Sequence, residues 1–108
     1  MDTERHYGIT ESQYYDLWEK QGGSCGVCST ELHREHINGV HVDHDHATGR
    51  VRGLLCGECN TMEGKLGGAA KRAGMKTLRE IVVRLTRYLE EPPASYLHEH
   101  IRGVPNVD

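Results

Sequence analysis

Cys25-Gly-Val-Cys28 and Cys56-Gly-Glu-Cys59 bracket the run His41-Val-Asp-His-Asp-His46, and the second pair leads directly into Asn60. Two thiolates at i and i+3 in a tight turn chelate one Zn²⁺, so the two pairs together offer the four ligands of a closed tetrahedral site. Asp, His and Asn form a different set, the oxygen ligands and base that phosphodiester chemistry with a hard cation requires. The spacing therefore predicts two interleaved metal chemistries, one structural and one catalytic. Four cysteines in a short chain also fit a disulfide framework. Zinc is the stronger expectation, because the start Met1-Asp-Thr-Glu-Arg-His-Tyr-Gly has no apolar signal-peptide core and nothing elsewhere approaches a membrane span. The expected compartment is the reducing cytoplasm, with no membrane partner and no small-molecule cofactor.

The elements that must position these residues follow from periodicity and caps. Thr10-Glu-Ser-Gln13 is a capping-box pattern, and Tyr14, Leu17 and Trp18 follow at i, i+3 and i+4, which predicts a helix from about Glu11 to Gln21 ended by Gly22-Gly23. Ser29 to Gly39 reads as a polar loop. Val40 to Asp43 and Val51 to Leu55 are short runs joined by the turn residues from Asp45 to Gly49, a two-stranded hairpin whose returning strand enters Cys56. Asp43 and His44 would project to opposite faces of a regular strand, so both can serve one phosphate only if the strand bends or bulges there. Asp45 is then the solvent-facing member, and His46 returns from the turn. Asn60 to Leu66 suits a short helix ended by Gly67-Gly68. Thr77-Leu-Arg-Glu80 is a second capping box, opening an amphipathic helix with Leu78, Ile81, Val82, Leu85 and Leu89 on one stripe and a stop at Pro92-Pro93.

At 108 residues, 36% hydrophobic and without Phe, the chain has material for one domain and little for a self-sufficient core, so a metal staple is expected. The formal net charge of −3 argues against a nucleic-acid partner, but its distribution does not. Between Gly64 and Tyr88 stand Lys65, Lys71, Arg72, Lys76, Arg79, Arg84 and Arg87 against Glu80 alone, a local +6. Such a stretch is either a solvated helix face or a phosphate-binding one, with Lys65, Lys71, Arg72 and Lys76 the candidate contacts.

The strings Gln21-Gly-Gly-Ser-Cys-Gly-Val-Cys28, Val42-Asp-His-Asp-His46 and Thr48-Gly-Arg-Val-Arg-Gly-Leu-Leu-Cys-Gly-Glu-Cys-Asn60 resemble the phage recombination endonuclease VII family, a branch of the ββα-metal (His-Me finger, HNH-like) nucleases. The match runs from the first helix to about Tyr88. It implies an α+β, zinc-stabilised single domain over 1–108, with a ββα-metal core at about 10–91 flanked by an N-terminal and a C-terminal helix. It also implies that Cys25, Cys28, Cys56 and Cys59 hold one structural Zn²⁺ per chain, and that Asp43 and Asn60 ligate a catalytic Mg²⁺, for which Mn²⁺ can substitute. By the same resemblance His44 is the general base and His46 contacts or polarises the phosphate. Glu63 falls on an acidic position of the family whose role the sequence leaves open. The longer members continue into a C-terminal region used in junction binding and dimer formation, so the resemblance bears on chemistry more than on junction specificity.

The activity so implied is hydrolysis of DNA phosphodiesters, leaving 5′-phosphate and 3′-hydroxyl ends, in the host cytoplasm if the chain is phage-encoded. Resolution of branched DNA such as four-way junctions, by a homodimer whose two sites nick opposing strands, is the first reading. A nicking or double-strand HNH-type endonuclease for phage DNA packaging or host DNA breakdown is the second. A non-catalytic zinc-ribbon module that binds nucleic acid or protein is the third, and it gives no reason for Asp43, His44 and Asn60 to occur together.

Overall fold

The computed structural model describes residues 8–36 and 39–98. The loop expected from Ser29 to Gly39 thus falls partly outside the described residues, as does the tail from residue 99. The described elements are α1 (Glu11–Gln21), β1 (His41–His44), β2 (Val51–Leu55), α2 (Gly57–Arg72) and α3 (Leu78–Glu90), an α+β arrangement of three helices and one two-stranded antiparallel sheet. The backbone gathers into two units, one up to Lys65 and one from Leu66.

In the first unit the capping box at Thr10 is reciprocal: Gln13 N donates to Thr10 Oγ1 at 3.0 Å, and Thr10 N donates to Gln13 Oε1 at 2.9 Å. This satisfies two amide donors that a helix start leaves over. At the other end Gly22 takes the left-handed conformation (φ 62°), with Gly22 N on Glu19 O and Gly23 N on Trp18 O, the double bond of a Schellman stop. Tyr14 is fully buried, and Leu17 and Trp18 lie against a core of Ile9, Leu32, Val40, Leu54 and Leu55 together with Cys25 and Cys59. Two of its eight buried members are thus cysteines of the expected zinc site, so that site and the core share residues.

Gln21 ties α1 to the hairpin. Its Nε2 donates to Ser24 O (2.8 Å) and Leu54 O (2.9 Å), while its Oε1 accepts from Leu54 N (2.9 Å). The side chain pairs with the open edge of β2 as a third strand would. A Cβ at Gly53 would stand 2.9 Å from Gln21 Oε1, which accounts for the glycine there. Gln21→Ala should cost about 1–3 kcal/mol, because the Leu54 N–H would be left unpaired in a half-buried setting, while Leu54 O would keep its bond from Gly26 N. Equilibrium denaturation of the zinc-loaded protein measures it.

The hairpin pairs His41 with Leu55, Val42 with Leu54, Asp43 with Gly53 and His44 with Val51, with the register slipping between Asp43 and His44. The expected irregularity is therefore present, and its extra residue lies on the returning strand: Arg52 has no partner across the ladder.

The second unit begins within α2. That helix does not stop at Gly67-Gly68 as its sequence suggested; it runs on for 16 residues to Arg72. Neither glycine takes positive φ, whereas Gly74 does (φ 78°), with Gly74 N on Lys71 O and Met75 N on Ala70 O repeating the stop of α1. Two interior glycines weaken a helix by about 1 kcal/mol each relative to alanine, but only a left-handed residue ends one by this motif. Thr77 caps α3 by accepting from Glu80 N at 3.1 Å, and the Glu80 carboxylate pairs with Arg84 at 3.2 Å, one turn on. None of the residues of α3 is buried; Val82, Leu85 and Leu89 are exposed. Among the described residues no helix is long and apolar enough to cross a membrane.

Candidate functional site

The chain after Gly23 folds into a small knuckle. Cys25 N donates to Thr30 O (2.8 Å), Leu32 N to Gly23 O (2.8 Å) and Gly26 N to Leu54 O (3.0 Å), so the first cysteine pair is fastened to β2. The second pair occupies the end of β2 and the first turn of α2. All four cysteines are free thiols, and their sulfurs lie within 4.8 Å of one another. Cys28 Sγ and Cys56 Sγ are 3.8 Å apart. Sulfurs at about 2.3 Å from one tetrahedral zinc stand about 3.8 Å apart, whereas a disulfide needs about 2.05 Å. The arrangement fits Zn²⁺ and excludes the disulfide alternative for these pairs.

The electrostatics agree. Burial opposes ionisation of Cys25, but backbone N–H groups of Cys28, Cys56 and Val27 outweigh it and draw the thiol down to about 6. Thr30 draws Cys28 below its usual range. Burial, with the sulfurs of Cys28, Cys56 and Cys25 beside it, pushes Cys59 up to about 12. Four thiolates cannot gather without a cation to balance them, and a divalent ion supplies that balance.

A second group of side chains lies where β1, the bulge and α2 meet. Asp43 is buried, only 9% exposed. Arg52, re-aimed by the bulge, grips it with two prongs, Nε on Oδ2 at 2.7 Å and an NH2 nitrogen on Oδ1 at 3.0 Å. The same nitrogen donates to Glu63 Oε1 at 2.6 Å and to His44 O at 3.3 Å. One guanidinium thus joins a carboxylate of β1 to a carboxylate of α2, and the Asp43 bond first, with Glu63 behind it, raises its pKa above the ordinary arginine value. Asn60 is half-buried and stands three residues before Glu63, so the two share a face of α2 with Cβ atoms about 5–6 Å apart.

His44 and His46 are exposed, with ring centroids 4.6 Å apart, as a return of His46 from the turn requires. Asp45, expected to face solvent, is not buried and also holds the turn: its Oδ1 accepts from Ala47 N (2.8 Å) and Thr48 N (3.3 Å), and these bonds keep its carboxyl below the usual range. Lys65, Lys71, Arg72 and Lys76 are exposed, and no ion pair engages them among the described residues. His33, Glu35 and His36 bring three further ligand atoms together, all of them exposed.

Arg52 is the site residue that sequence reasoning passed over. It lies inside the longest family-like string, but strand alternation gives the face of a residue only where the register is regular. Gln21 likewise reads from sequence as a helix end and the start of a family-like string, with no tie to β2.

The family model described as recombination endonuclease VII matches residues 1–91. Two phage proteins are similar over 92 residues at 41% identity: the Gene 59 protein of Mycobacterium phage D29, covering 82% of this chain and 47% of that protein, and the Gene 59 protein of Mycobacterium phage L5, covering 82% and 48%. The chain thus spans about half the length of the curated relatives it matches.

Proposed function

Because the chain belongs to the recombination endonuclease VII family, we propose that it is a DNA endonuclease, built as one ββα-metal nuclease domain with its core at about 10–91 and using a divalent metal ion to hydrolyse phosphodiester bonds. The observation that carries this reading is the junction of β1, β2 and α2, where two carboxylates are drawn onto a single cationic group beside an exposed histidine pair. A place where Asp43 and Glu63 both reach one positive charge is suited to a hard cation.

In this reading Cys25, Cys28, Cys56 and Cys59 hold one structural zinc, and Asp43 and Asn60 hold Mg²⁺, with Mn²⁺ an acceptable substitute. The bound ion supplies charge stabilisation to the phosphoryl oxygens and the leaving 3′ oxygen. His44 takes the proton from the attacking water as general base. His46, ring to ring with His44, contacts the phosphate. Lys65, Lys71, Arg72 and Lys76, which no ion pair engages among the described residues, are the DNA phosphate contacts of this reading. The zinc anchors both the end of β2 and the start of α2, so it fixes the two elements that carry Arg52, Asn60 and Glu63.

The preferred substrate is branched DNA such as a four-way junction, cut by a homodimer acting in the cytoplasm of a phage host. The exposed stripe of Val82, Leu85 and Leu89 is the face we assign to the dimer. The test is a gel assay of zinc-loaded protein with Mg²⁺ on a four-way junction, a linear duplex and a single strand. Symmetric junction cuts that outpace duplex nicking are expected. Equal rates on junction and duplex would select a packaging or DNA-breakdown nuclease instead, and no cleavage of any substrate would select a non-catalytic zinc module.

A further inference from the structure

The Arg52 guanidinium occupies both oxygens of Asp43, the residue assigned above to the catalytic ion. Arginine cannot surrender its charge at any ordinary pH, so the group cannot leave by deprotonation. It also cannot diffuse away, because β2 tethers it. A divalent ion arriving at Asp43 meets a fixed positive charge on the carboxylate it needs.

We propose that Arg52 is an internal counter-cation, a positioning residue that holds Asp43 and Glu63 ready in the absence of the divalent ion and is exchanged off Asp43 when that ion binds. The inference rests on the metal-dependent reading given above. Three features of the chain support it. The bulge leaves Arg52 without a partner across the strand ladder, so swinging its side chain outward gives up its bonds to Asp43 and His44 O but no backbone pairing. Its side chain is 40% exposed while those of Asp43 and Glu63 are 11% and 18% exposed, so the cation has room to swing outward and the carboxylates do not. Two carboxylates this sheltered repel each other unless a positive charge stands between them, and Arg52 is the cation paired with them among the described residues.

The exchange fixes the sign of a measurable effect. A neutral side chain at position 52 removes the competitor, so a divalent ion binds more tightly; a residue that merely oriented Asp43 would have the opposite effect on removal. We expect zinc-loaded Arg52→Gln to bind Mn²⁺ about tenfold more tightly than the unmodified protein, the ordinary size of a coupling between two mutually exclusive ligands. Its melting temperature without Mn²⁺ should fall, and the rise produced by added Mn²⁺ should exceed that of the unmodified protein. Arg52→Lys keeps the charge but not the two-pronged hold, so its Mn²⁺ affinity should lie between the two, and it provides the comparison if Arg52→Gln does not fold.

Titration calorimetry with Mn²⁺ alone, on protein without DNA, reads these affinities, with Asp43→Asn as the control that removes the binding. Equal or weaker Mn²⁺ binding by the Arg52 variants, with Asp43→Asn still abolishing it, would overturn the exchange and leave the metal-dependent reading intact. Mn²⁺ binding indifferent to Asp43→Asn would overturn both.

Discussion

His44→Ala should slow DNA cleavage by about 10²- to 10⁴-fold, the usual contribution of a general base, while zinc content and DNA affinity stay near those of the unmodified protein. The expectation follows from where the residue sits. His44 closes β1, its side chain is exposed, and its contact in the structure is the ring of His46. The bond it gives to the fold is a backbone one, the carbonyl that accepts from Arg52, and alanine retains it. No core volume is lost, so a drop in rate would report chemistry. Single-turnover nicking at saturating Mg²⁺, beside a zinc assay and a binding titration, separates the possibilities. A variant that kept most of its rate would show that another group takes the proton. His46→Ala should show a smaller loss, since phosphate contact is shared with the metal ion and the basic face.

Cys56→Ser has the largest expected effect on the fold. Zinc content should fall below one per chain, and cooperative unfolding should be lost. Free energies of structural zinc binding in small metal domains are on the order of 10 kcal/mol, comparable to the whole stability of a domain this size. Cys56 lies between β2 and α2, and it accepts the Cys59 N–H at 3.5 Å, so its removal disconnects the hairpin from the helix that carries Asn60 and Glu63. Chelation of zinc from the unmodified protein should reproduce the loss, read by circular dichroism. A folded, active Cys56→Ser protein would remove the structural role assigned to the site.

The same thiols set a pH dependence. At pH 7 the metal-free Cys25, drawn down to about 6, is already largely ionised, whereas Cys59, pushed up to about 12, keeps its proton. Zinc must therefore expel at least the Cys59 proton. The zinc-bound state carries fewer protons than the metal-free one, so affinity falls as pH falls and loading at pH 7 releases acid. Zinc titration in buffers of different ionisation enthalpy measures that release.

Much of this was legible in the chain itself. The helix Glu11–Gln21, its reciprocal cap, the hairpin and each Cys-x-x-Cys pair all depend on spacing over a few residues, and spacing is what a sequence displays. The family resemblance drew on the same local strings. The far end of α2 was misread because a glycine pair predicts a stop only if one member can turn left-handed, and that choice belongs to the packed chain. Ala70, just past Gly67-Gly68, is 2% exposed, and its burial accompanies the continued helix.

Sequence by itself determined which ligands are present and that the chain has little material for a large core. Only the tertiary structure decided which groups meet. One extra residue in β2 turns Arg52 onto Asp43 and Glu63, and one glutamine at the end of α1 pairs with the edge of β2. The physical reason is that strand register is set by contacts between segments distant in sequence, and a shift of a single residue exchanges the faces of every side chain beyond it.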